Sequence, residues 1–266
     1  MNQTVEHPLQ GRRVWITRPE HQSQSLSALV RAAGGEALVI PAIEITKKQI
    51  SATERQLLED LAEGDIAIFV SPNAAGFIGQ VLKDPPSKFS GVTVLAVGSG
   101  TRDALLQEGI GAAISPDSGS GSEALLELGL LQEASVRGRN IVILRGAGGR
   151  ELLRDTLLQR GANVGIVELY YRRKPQLSAA MIKNLWHQSP PGVIVITSGD
   201  GLKNLIDITP DQQLDVLFNT PLVVISDRVR DLALSSGFNL TPRVASNAGD
   251  SELMQTILSL YRGNTR

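Results

Sequence analysis

The residues that could do chemistry in this chain stand where short apolar runs end. The run Ile66–Val70 stops at Ser71, and Val193–Ile196 stops at Thr197, Ser198 and Gly199. Runs around Val14, Val92, Ile141 and Leu222 end in Thr17-Arg18, in Gly98-Ser99-Gly100-Thr101, in Arg145-Gly146 and in Ser226. Each run reads as a strand buried on both faces, as in a parallel sheet. Pro72 after Ser71 is the N-cap and N1 signature of a helix start. In open parallel sheets the ligand sits beyond the carboxyl ends of the strands. Small, hydroxylated and glycine residues there expose backbone N–H groups suited to anions. The candidate substrate-binding set is therefore Arg18, Ser71, Gly98, Ser99, Thr101, Arg145, Gly146, Ser198, Gly199 and Ser226.

Arg18 and Arg145 could clamp a carboxylate or phosphate bidentately, or could simply pair with a neighbouring acid. Tyr170 could donate a proton or a hydrogen bond through its phenol, or could pack in a connecting strand. The loops GSGTRD (98–103) and GAGGRE (146–151) lack the third glycine of a dinucleotide fingerprint, and no GxxxxGK[ST] occurs. Nucleotide binding is thus weakly supported.

Composition removes further classes. The 266 residues carry a net charge of −1, so no global basic field argues for nucleic acid or a membrane surface. With no cysteine there is no disulfide, thiolate catalysis or iron–sulfur ligation. His7, His21 and His187 have no ligand spacing, and no metal or other cofactor is expected. The polar start is unlike a signal peptide, and no run is long enough for a membrane span. A cytoplasmic protein acting as a monomer on a small molecule is the expectation.

Strand–turn–helix units recur along the chain. Ser198 follows Ser71 by 127 positions and Arg145 follows Arg18 by the same 127. Arg230-Asp231 follows Arg102-Asp103 by 128, and Ser251-Glu252 follows Ser122-Glu123 by 129. Four units in one order, written twice at a nearly constant offset, indicate an internal duplication. The expected fold is α/β, with two doubly wound, flavodoxin- or Rossmann-like parallel sheets. Residues 37–45, interrupted by Pro41, and 164–173 read as extended segments. Ser120 with Glu123 fits a capping box before the next helix.

The ordered set TRP (17–19), FVSPNAA (69–75), VGSGT (97–101), LRGAGGREL (144–152), LYYR (169–172), ITSGDGL (196–202) and ASNAGDSEL (245–253) resembles uroporphyrinogen-III synthase. The resemblance runs over nearly the whole chain. It implies two α/β lobes, 1–37 plus 174–266 and 46–164, joined by a two-stranded β-ladder of 38–45 and 165–173. It implies cyclisation of hydroxymethylbilane, a linear tetrapyrrole polycarboxylate, with loss of water and inversion of ring D through a spiro intermediate, without a cofactor. Tyr170 matches the family tyrosine proposed to help the hydroxyl leave. Ser71, Gly98, Thr101, Gly146 and Ser198 match its substrate-facing loops. One loop departs: Val229 stands where the family usually has threonine, and Asp227 would sit near an anionic ligand. The competing reading is a two-lobed protein that binds a small anion without catalysis.

Overall fold

The computed structural model describes residues 8–117, 119 and 121–261. Ten strands form two sheets: β1 Arg13–Ile16, β2 Glu36–Val39, β3 Glu44–Lys47, β4 Ile66–Phe69, β5 Thr93–Ala96, β6 Asn140–Gly146, β7 Asn163–Arg173, β8 Val193–Ile196, β9 Leu222–Val224 and β10 Arg243–Val244. The chain divides into two compact units, one of residues up to Glu44 and from Arg173 onward, the other of Ile45–Arg172.

The first unit has the strand order β10-β9-β8-β1-β2, and its neighbouring strands pair in parallel. The second has β3-β7-β6-β4-β5, with β7, β6, β4 and β5 parallel to their neighbours. A parallel bridge from Leu95 to Ile114 continues the second sheet past β5, as β10 continues the first past β9. The duplication is therefore visible as topology. β1 and β2 of the first repeat complete the sheet of the second repeat, and β6 and β7 complete that of the first.

Both sheets are covered on both faces, which explains strands that read as continuous apolar runs. In β4, Ala67 and Phe69 enter one core with Leu105 and Ile78, while Ile66 and Ile68 enter another with Leu125 and Leu157. In β1, Trp15 faces Ile194 and Ile196 while Val14 and Ile16 face Leu26 and Leu253. Burying one such large side chain contributes about 1.5–3 kcal/mol before chain entropy is counted.

Helices begin and end on chemistry the sequence displays. Gln24–Ala32 stops before Gly34, whose φ of +78° is the left-handed conformation a side chain resists. Residues 37–45 make two strands. β2 is the edge of the first sheet and β3 that of the second, with Pro41, which has no N–H for a ladder, between them. Ser120 and the first seven residues, His7 among them, lie outside the described residues. The helix Ser122–Leu126 has Gly121 at its N-cap, without a side-chain cap.

Candidate active site

In the second unit, strand ends and helix starts converge on Tyr170. Ser71 is the N-cap of helix Pro72–Ile78 and accepts Ala74 N–H at 3.1 Å. Such a cap is worth about 1 kcal/mol. Ser71 Oγ also lies 2.8 Å from Tyr170 Oη, across 99 positions of chain. Arg172 Nη2 donates to the same phenol oxygen at 3.1 Å. The Tyr170 ring stacks on Phe77, with centroids 5.8 Å apart.

A slip in the β6–β7 register brings the ring there. Arg145 pairs with Glu168, but Gly146 pairs with Tyr170, so β7 carries one extra residue at Leu169. Such bulges re-aim side chains beside functional sites. Arg145 is buried and donates Nη2 to Glu151 at 2.8 Å and Nη1 to the Arg150 carbonyl at 3.1 Å. Glu168 stands 3.6 Å from it, and its Nε has no partner among the described residues. The hydrogen bond from Arg145 pulls the Glu151 carboxyl below its ordinary range, against a smaller opposing effect of burial.

Glu168 leads to a second charged group. Its N–H donates to Glu54 at 2.9 Å, and Lys48 Nζ reaches Glu54 at 2.9 Å. Burial raises the Glu54 pKa, but the N–H groups of Ser51 and Glu168, then Lys48 and the Ser51 side chain, outweigh it and hold the carboxyl at about 2. In the next loop Gly98 caps helix Ser99–Gln107 with no side-chain bond, Ser99 is exposed, and Thr101 is 2% exposed.

The first unit repeats this arrangement with different chemistry. Ser198 caps helix Gly199–Ile208 through Gly201 N–H at 3.0 Å, and Ser226 caps Asp227–Ser235 through Val229 N–H at 3.4 Å. Gly199 lies half-buried at the first turn. Arg18 is committed internally: Nη1 donates to Asp250 at 2.6 Å and Nη2 to the Ala248 carbonyl. Burial lowers its pKa, and Asp250 opposes that shift. A ligand carboxylate would have to displace Asp250.

Val229 is 3% exposed and packs in the core, as Thr101 does at the matching position of the other unit. Asp227 is offset by Arg230, at 2.5 Å, rather than by its neighbour Arg228. It also lies in the first turn of its helix, where the macrodipole favours an acid.

The sequence reading missed Arg172, Glu54 and Asp250. Arg172 had a local signal, since residues two apart share a strand face with Tyr170, and so did Glu54, which closes the capping box opened by Ser51. Among the described residues no group of three or more His, Cys, Asp or Glu could hold a metal. No described helix is long and apolar enough to cross a membrane.

Two repeated parallel-sheet units, each with capped helix starts at its strand ends and the second with a buried tyrosine beside one of them, define a duplicated α/β protein. Residues 24–255 match the family model of uroporphyrinogen-III synthase HemD. A uroporphyrinogen-III synthase of Salmonella typhimurium is 32% identical over 92% of this chain and 99% of that one. That of Escherichia coli is 30% identical over the same shares, 92% and 99%. The solved uroporphyrinogen-III synthetase of Helicobacter pylori aligns with a TM-score of 0.63 at 15% identity, over 94% of this chain and 99% of that one. A mutant Thermus thermophilus synthase aligns at 0.59 and 18%, over 93% and 97%. At such identities these two establish the fold. The chain belongs to the uroporphyrinogen-III synthase family. It is a lyase of tetrapyrrole biosynthesis that cyclises hydroxymethylbilane.

Proposed function

We propose that the cyclisation inverts ring D through a spiro intermediate, and that Tyr170 assists departure of the substrate hydroxyl. The observation that carries this reading is the buried Tyr170 Oη, 2.8 Å from the hydroxyl that caps helix Pro72–Ile78. The electron-rich pyrroles do much of the bond-making. The protein's share is to hold a polycarboxylate in a reactive fold and help one hydroxyl leave.

Ser71, Gly98, Ser99 and Thr101 in one unit, and Ser198, Gly199 and Ser226 in the other, stand at helix starts and support carboxylate binding there, while Gly146 ends β6 beside the Tyr170 ring. Arg145 supports it with a buried guanidinium whose Nε has no partner among the described residues. Arg18 supports it by fixing the start of helix Asp250–Ser259. The same reading has the chain working as a cytoplasmic monomer, without cofactor and without nucleic acid; a net charge of −1 supports the last of these.

A coupled assay tests the reading. Hydroxymethylbilane is generated in situ, the purified chain is added without cofactor, and the oxidised uroporphyrin isomers are separated. Predominantly type III product is expected. Only the spontaneous type I isomer, from folded protein, would overturn it and leave an anion-binding protein.

A further inference from the structure

The hydrogen bonds around Tyr170 have a direction. Its Oη receives Arg172 Nη2 at 3.1 Å and lies 2.8 Å from Ser71 Oγ, a contact in which either oxygen could donate. A guanidinium has donors and no acceptor, so Arg172 occupies one lone pair of the phenol. Were Ser71 also the donor, the phenol's own proton would be buried with no acceptor among the described residues. Buried donors without partners are rare and unfavourable. Tyr170 therefore donates to Ser71. Ser71 Oγ already accepts Ala74 N–H at 3.1 Å, so both its lone pairs are filled. Its own hydroxyl hydrogen is then left free to point outward. Exposure agrees: Tyr170 is 0% exposed and Ser71 8%.

We propose that Ser71, rather than Tyr170, is the group that meets the departing hydroxyl, with Tyr170 supplying the proton behind it. Arg172 is the positioning residue that sets the direction of donation. This rests on the cyclase reading above. As the pyrrole nitrogen lone pair expels the hydroxyl, the C–O bond breaks and the Ser71 proton converts the leaving group to water. The Tyr170 proton moves to Ser71. The phenolate left behind is stabilised by the charged donor of Arg172. When the free ring-D carbon makes the closing bond, it loses its proton as the ring regains aromaticity, and the phenolate recovers that proton through Ser71. One water is lost and the enzyme is restored.

The test uses kcat and KM for type III formation from hydroxymethylbilane by the full chain. Ser71→Gly removes the hydroxyl while nearly keeping the cap. Ser71→Gly and Tyr170→Phe are each expected to lower kcat about 10- to 100-fold. Combined, they should lose little more than either alone, because they act as one unit. Arg172→Met should lower kcat about tenfold with KM nearly unchanged, and Arg172→Lys should restore most of it. Ser71→Thr, which keeps hydroxyl and cap, should retain kcat and decides the matter where Ser71→Gly does not fold. Wild-type kcat in Ser71→Gly, losses that multiply in the double variant, or no rescue by Arg172→Lys would overturn the relay. A wild-type chain yielding only type I product would instead overturn the function, before any variant is compared.

Discussion

Gly146 lies against the Tyr170 ring so closely that a β-carbon there would stand 2.6 Å from Cε2 and 2.7 Å from Cζ. The glycine is required by the tyrosine and not by its backbone conformation. With Phe77 stacked at 5.8 Å, the ring has a fixed slot. Gly146→Ala should push the ring out of line with Ser71. Overpacking of this kind destabilises by about 1–3 kcal/mol. We expect kcat to fall about tenfold from misplacement of the phenol, beyond any change in melting temperature. An unchanged kcat at full folding would mean that the ring position is not used.

Arg18 has a partner inside the chain that its position does not announce. At a strand's carboxyl end an arginine looks like a ligand clamp, yet Asp250 holds it at 2.6 Å from 232 positions away. Arg18→Ala would leave Asp250 without its partner but still in the first turn of a helix, where a carboxylate is tolerated. The expected result is a loss of about 1–3 kcal/mol in urea unfolding. KM should change less than about threefold. A large rise in KM with unchanged stability would instead show Arg18 clamping the substrate.

The repeats, the strand ends and the serine caps were legible because they depend on local sequence: apolar runs, Ser-Pro, and a steady offset. The exchange of first strands between repeats was not readable from spacing, since either pairing preserves the same local patterns; the family resemblance supplied it. The contacts that build the candidate site are long-range. Tyr170 meets Ser71 only because β7 slips by one residue against β6, and no residue type at Leu169 announces that slip. The Glu54–Glu168 bond likewise joins positions 114 apart.

Val229, where the resemblance implies a threonine, has its side chain in the core. Both it and Thr101 are buried, so the position is a core one in each unit. Val229→Thr should leave kcat within about threefold of wild type. The buried hydroxyl should lower stability by about 1 kcal/mol, less if it bonds back one helical turn. Thermal melts beside the coupled assay separate the two effects. A several-fold gain in kcat would show that the loop lacks a hydroxyl it needs.

Glu54 ties helix Ala52–Glu59 to Lys48 and to the backbone of β7, and it should set part of the acid sensitivity of the second unit. Its carboxyl is held at about 2 in the folded chain, below the ordinary 4.5. The folded state therefore resists protonation more than the unfolded state does. The resulting stability is fully present above pH 4.5 and is lost as pH falls toward 2. After allowance for solvent contact, the contribution is about 1–2 kcal/mol. Glu54→Gln keeps the size but removes the charge, so its stability should be lower near neutrality and flatter on acidification. Urea unfolding of both proteins, near neutral pH and at about pH 3, measures the difference. The wild type should lose about 1 kcal/mol more than the variant over that interval, and parallel losses would show that another carboxylate carries the acid sensitivity.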